Sequence, residues 1–318
     1  MAVLQAIQSV IIIILIITLG YYLRRRGLLA DAFSGNIAML ITKIALPASI
    51  FVSVLRYLTR DTLVSLSQSL IYPFIGVGIA YVIGFALAAV LKIPVGRRGV
   101  FINGIVNANT IFIGLPLNMA LFGADSMPYF LIYYIVNTVS LWTLGAFLIA
   151  NDVPKGQRSG SGMTLKSVIQ KVLPPPLLGF IVGILYLFTG WPLPNLAEQT
   201  LTYVGHLVTP LSLIFIGIVL CDAGLKSISF DRDTNIALFG RFIISPLILI
   251  ILLSFTSFPI TLKQVLVIQA ATSMPTVLPM LARQAGGDVQ YATNIVTTST
   301  LLFVVVSPIL MGLLQFMG

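Results

Sequence analysis

Charge is what this sequence has least of. Only 8% of its 318 residues are Asp, Glu, Lys or Arg, while 58% are hydrophobic; soluble globular proteins carry about 25% charged residues. Too few polar groups remain to clothe a water-facing surface, which excludes a soluble enzyme and a disordered chain. One cysteine, Cys221, rules out an internal disulfide, and with a single histidine, His206, it leaves too few soft ligands for a structural zinc site. Acids are scarcer than bases. All nine (Asp31, Asp61, Asp125, Asp152, Glu198, Asp222, Asp231, Asp233 and Asp288) fall in predicted loops or at the ends of apolar runs. Proton pumps and cation antiporters ordinarily keep a carboxylate within the membrane to take the exchanged charge, so a cation substrate is disfavoured. The formal net charge of +9 comes without a basic tail or a basic patch interleaved with aromatics, so nucleic acid is not an expected partner. Nothing in the sequence calls for a metal or an organic cofactor.

What is present is a series of apolar runs, most of them long enough to span about 30 Å of hydrocarbon as helices. They predict an all-α integral membrane protein with ten transmembrane helices, at about 3–23, 36–55, 69–91, 99–122, 128–150, 172–189, 199–220, 236–256, 263–284 and 291–316. The cluster Arg24-Arg25-Arg26 follows the first run instead of preceding it. That is the reverse of a secretory signal, so the first helix is expected to be retained. The loops after helices one, three, five, seven and nine hold most Lys and Arg, whereas the alternate loops hold only Arg56, Arg60 and Lys263. Positive charge marks the cytoplasmic side, which places both termini outside and a Gly/Ser-containing linker, 151–170, in the cytoplasm of a multi-pass cell-membrane protein.

A shift of 163 residues lays the second half on the first without a gap. Gly20 then matches Gly183, Gly27 matches Gly190, Pro47 matches Pro210, Leu115-Pro116 matches Leu278-Pro279, and Gly123 matches Gly286. The organisation expected is a first five-helix repeat over 1–150, the linker, and a second repeat over 171–318. Five helices per copy is odd, so the copies are inverted across the membrane. Inverted repeats with a mid-membrane site are a transporter arrangement.

The fourth and ninth helices carry matching breakers. Helix four reads Asn109-Thr110-Ile111-Phe112-Ile113-Gly114-Leu115-Pro116, and helix nine reads Ser273-Met274-Pro275-Thr276-Val277-Leu278-Pro279. Proline removes a backbone donor and clashes with the preceding turn, so half-helices are expected to restart near Pro116 and Pro279. Each would present unpaired N–H groups and the positive end of its dipole to an anion. Asn109, Thr110, Ser273 and Thr276 could add donors. The competing reading is a pair of packed proline kinks; two at symmetric positions with polar flanks favour a site. Lys43, four residues before Pro47, and His206, four before Pro210, are candidates for substrate attraction or coupling. Arg241, near the cytoplasmic end of helix eight, reads as an interfacial anchor or an anion contact. Asn137, beside Tyr133 and Tyr134 on helix five, reads as an interhelical hydrogen-bonding residue or a substrate contact.

The string Asn109-Thr110-x-x-x-Gly114-Leu115-Pro116, with Lys43-Ile44-Ala45-Leu46-Pro47 and Pro275-x-x-x-Pro279, resembles the auxin efflux carrier family, which includes plant PIN carriers and bacterial malate and malonate permeases. The resemblance runs over all ten helices and implies a PIN/NhaA-like fold in which broken helices four and nine cross. Helices one, two, six and seven would form a scaffold and homodimer contact. Helices three to five and eight to ten would form a domain moving as an elevator, with Asn109 and the Pro116 and Pro279 crossing holding a carboxylate. The short linker and the stretch Pro128–Thr138 look most like the bacterial malate permease branch. The function expected is secondary transport of small organic anions, malate or a related dicarboxylate first. The alternatives are a carrier of monocarboxylates or auxin-like aromatic weak acids and, from another class, an anion channel. An intramembrane enzyme is disfavoured, because His206 has no intramembrane acid with which to form a catalytic pair.

Overall fold

The computed structural model describes residues 2–59, 67–153, 175–224 and 228–314. The linker 151–170 therefore lies outside the described residues from 154 onward. Every regular element among those described is helical. In chain order they are α1 (Ala2–Arg25), α2 (Phe33–Tyr57), α3 (Ser67–Val90), α4 (Arg98–Val106), α5 (Leu115–Phe122) and α6 (Ala124–Asn151). There follow α7 (Pro175–Thr189), α8 (Asn195–His206), α9 (Val208–Ala223), α10 (Arg232–Ser254), α11 (Ile260–Ala270), α12 (Leu278–Ala285) and α13 (Val289–Leu314). Among the described residues, six stretches are long and apolar enough to cross a bilayer: α2, α3, α4 through α5, α6, α8 through α9, and α10. With α7 and α11 as shorter apolar helices, the molecule is a membrane protein.

The chain divides into two compact units. The first comprises Met1–Leu70, Ile111–Ile132 and Leu173–Asp222; the second comprises Ile71–Thr110, Tyr133–Val172 and Ala223–Gly318. Each unit draws on both halves of the sequence. The scaffold helices expected from the resemblance fall in the first unit, but so do α5 and the start of α6, which had been expected to lie with the mobile helices.

Small residues set the packing of the first unit. A Cβ on Gly20 would lie 2.3 Å from the Ile214 carbonyl oxygen, and one on Gly217 2.1 Å from that of Ile17, so α1 and α9 touch backbone to backbone. Gly179 stands in the same relation to Pro47, at 2.6 Å from its carbonyl oxygen, where α7 meets α2. Without a hydrophobic drive between helices in lipid, such close van der Waals contact is the main source of association. Gly27 and Gly190, which the 163-residue shift pairs, adopt φ of +72° and +71°, and the paired Gly123 and Gly286 adopt +72° and +77°. A positive φ at all four positions is costly for any residue with a Cβ.

The second unit is built around α4, buried from Gly99 through Val106 and touched by α3, α6, α10, α12 and α13. At one end of this unit Arg97 binds three carboxylates: Asp288 at 2.6 Å, Asp231 at 3.6 Å and Asp233 at 4.0 Å. Burial pulls the Arg97 pKa down, and the carboxylates, Asp288 foremost, more than restore it, for a net shift upward.

Among the described residues, four helices contain a π turn: Ile41–Ala45, Thr110–Gly114, Leu141–Gly145 and Gly240–Ile244. Three of these end two residues before a proline: Pro47, Pro116 and Pro246. A proline ring collides with the carbonyl four residues back, which lies mid-turn in each case, and widening the turn relieves the clash without breaking the helix.

Candidate functional site

This relief displaces the expected break in helix four. The chain does not restart at Pro116, which sits at the second residue of α5 and is reached through the helical turn Thr110–Gly114. The interruption lies upstream, at Asn107-Ala108-Asn109, where Asn107 is extended with φ −98° and ψ 146°. In the ninth helix the break runs from Ala271 to Val277, and α12 restarts at Leu278 with Pro279 in its first turn, as the sequence predicts. The two interruptions meet: the Asn109 N–H donates to the Ser273 carbonyl at 2.8 Å.

Each interruption is held by a later helix of its own half of the sequence. On α6, the Asn137 side chain accepts from the Ala108 N–H at 2.7 Å and donates to the Ala108 carbonyl at 3.0 Å. It thus replaces both ladder bonds that the unwound peptide has lost. On α13, Ser299 Oγ accepts from the Met274 N–H at 3.1 Å, and the Thr300 hydroxyl reaches Ser273 Oγ at 3.5 Å. Asn107 is fixed by a closed ring of bonds. Its amide donates to the Tyr81 hydroxyl and to Asn103 Oδ1, and it accepts from Ser140, which Tyr81 also bonds. All of these groups belong to the second unit, and buried polar groups cost little only when paired in this way.

Arg241 is completely buried, at 0% exposure, which corrects the reading of it as an interfacial anchor. Its Nε donates to the Thr272 carbonyl at 2.8 Å, and one terminal nitrogen donates to the Ile105 and Val106 carbonyls at 3.1 Å each. The other terminal nitrogen binds the Gln269 and Ala270 carbonyls. These are the final carbonyls of α4 and α11, the negative ends of two helix dipoles. Ser245, one turn further along α10, donates to the Ile105 carbonyl at 2.7 Å.

Residues 5–311, nearly the whole chain, match the family described as membrane transport protein. The chain belongs to that family. It is 25% identical over 310 residues to an uncharacterized transporter of Methanothermobacter thermautotrophicus, covering 95% of this chain and 96% of the relative. It is 24% identical over 281 residues to an uncharacterized transporter of Methanocaldococcus jannaschii, covering 86% of each chain.

In this transporter the second unit brings together Asn109, Thr110, Asn137, Arg241, Ser273, Pro275, Thr276 and Pro279. Asn109, Thr110, Ser273 and Pro275 are buried, whereas Thr276, Val277 and Pro279 are partly open at the start of α12, which has no side-chain cap. Gly114, Pro116, Lys43 and His206 belong to the first unit, where Lys43 and His206 are exposed. Sequence reasoning did not single out Asn103, Asn107, Tyr81, Ser140, Ser245, Ser299 or Thr300. A signal for one of them existed, because the 163-residue shift sets Thr300 opposite Asn137.

Proposed function

We propose that this protein is a secondary transporter of small organic anions that binds a carboxylate at the crossing of its two interrupted helices. One observation carries the reading: the crossing encloses the guanidinium of Arg241, and no acid lies near it in sequence. The second unit's acids are Asp152, Asp231, Asp233 and Asp288, all at helix ends or in connections. Arg241 offsets the negative dipole ends of α4 and α11, and the uncapped start of α12 turns the positive end of its dipole to a negative ligand. Asn109, Thr110, Ser273 and Thr276 orient the carboxylate, while Pro275 and Pro279 keep the break open.

Malate or a related dicarboxylate is the leading substrate, by likeness of the chain to malate permeases. The chain crosses the cell membrane ten times as two inverted repeats, with both termini outside, and dimerises through the helices of the first unit. The unit that carries the crossing moves by an elevator-type displacement. Lys43 and His206, both exposed, attract the substrate or couple its transport.

The test is uptake of radiolabelled malate by purified protein in liposomes holding malate, lactate or buffer, under imposed pH and voltage gradients. Uptake accelerated by an internal anion is the expected carrier behaviour. Flux far above carrier turnover, without counter-transport, would make it a channel. No malate flux under any gradient would refute the dicarboxylate assignment and move the assay to aromatic and monocarboxylic acids.

A further inference from the structure

The five carbonyl oxygens around Arg241 come from two helix ends and one unwound residue: Ile105 and Val106, Gln269 and Ala270, and Thr272. Without the side chain, such a group would be a cation site. Unwound carbonyls and the C-terminal ends of half-helices are what coordinate Na+ in ion-coupled carriers. Here the site is filled covalently. A guanidinium has five N–H donors and does not deprotonate in a protein, so both the charge and its fit to several oxygens are permanent. The repeat makes the arrangement one-sided, because the 163-residue shift places Gly78 opposite Arg241, and a Cβ on Gly78 would meet nothing within 4 Å. One position of the pair carries a cation that serves both interruptions; the other carries no side chain.

We propose that Arg241 is a tethered substitute for a coupling cation: it closes the carbonyl cage, makes the crossing independent of Na+ and K+, and sets its preference for anions without touching the substrate. The proposal rests on the anion-carrier reading for its transport readout but not for its binding readout. Arg241 is thus a positioning residue, and shortening it creates a vacancy for an external cation.

The test compares the wild type with Arg241→Ala, Arg241→Lys and Arg241→Gln, first by thermal melting of detergent-solubilised protein without substrate. The wild type should melt identically in Na+, K+ and N-methylglucamine chloride. Arg241→Ala should melt lower and be raised selectively by millimolar guanidinium chloride or by Na+, and Arg241→Lys should stay closer to the wild type than Arg241→Gln. In liposomes, Arg241→Ala should lose at least about tenfold of malate uptake, the scale expected when charged hydrogen bonds to buried carbonyls are removed, and recover part of it with guanidinium.

Three results would overturn the proposal: a wild type that requires Na+ or K+, an Arg241→Ala protein that no cation stabilises, or equal behaviour of the Lys and Gln variants. If Arg241→Ala does not accumulate, the Lys and Gln comparison still decides. If malate is not carried at all, the melting series stands alone, so failure of the cage and failure of the substrate assignment are told apart.

Discussion

Replacing Asn137 by leucine tests whether the interruption of helix four is clamped by a side chain. Leucine keeps the branched outline of asparagine, with somewhat greater bulk, but strands the Ala108 N–H and carbonyl, which Asn137 binds at 2.7 Å and 3.0 Å. Two scales give different answers. Leaving a buried polar group unpaired costs about 1–3 kcal/mol, whereas interhelical hydrogen bonds in a membrane protein average only about 0.6 kcal/mol, since the unfolded chain in lipid finds other partners. The first scale governs here, because Ala108 lies in the unwound stretch and cannot recover a ladder bond unless the crossing rewinds. The expected loss is roughly 2–6 kcal/mol for the two groups together. It should appear as a lower melting temperature of solubilised protein and a lower maximal uptake rate in liposomes. Asn137→Asp should be milder at pH 5 than at pH 8, because only the protonated carboxyl can donate to the Ala108 carbonyl. An Asn137→Leu protein that melts like the wild type but has a raised KM would refute the clamp and make Asn137 a substrate contact instead.

Asn109→Ala keeps the backbone bond to Ser273 and removes only the side chain, so substrate affinity should fall while melting changes little; unchanged transport kinetics would take Asn109 out of the site. Lys43→Met should weaken malate uptake or alter its pH dependence, and if neither moves, Lys43 serves as an anchor at the membrane edge. Gly217→Val should prevent α1 from meeting α9, because its Cβ would fall 2.1 Å from the Ile17 carbonyl oxygen; folded yield measured by fluorescence-detected gel filtration should collapse, and normal yield would contradict the close contact. Arg97→Ala should cost about 1 kcal/mol, the scale of an ion pair partly exposed to water, and the difference from wild type should shrink in high salt.

The apolar runs located most helices because hydrocarbon permits little else across a bilayer, and Pro279 located the restart of α12. Pro116 misled because its clash is absorbed by the π turn before it, while the real interruption, at Asn107-Ala108-Asn109, has no breaker residue. It stays open because Asn137, Ser140 and Tyr81 bind its groups from other helices, and local sequence does not record such contacts. Arg241 was misread for a related reason. Counting charges assumes that a cation near a helix end seeks water, yet its partners are backbone carbonyls, which look alike in every residue. Asn137 stood out as a polar residue on an apolar helix, but sequence alone could not say that both ends of its amide bind protein.

The reach of Arg241 also bears on how the protein is made. It bonds Ile105 across 136 residues of sequence, so the first interrupted helix is synthesised long before the side chain that closes it. At about 5–20 residues per second, that interval is on the order of ten seconds. Through it, the last carbonyls of α4 lack the guanidinium and, if the helix is already interrupted, lack helical partners too. Hydrocarbon tolerates such groups poorly, so the nascent fourth helix must wait either wound as a continuous rod or sheltered by the insertion machinery. The crossing is then a late event of biogenesis, completed only after Arg241 has emerged.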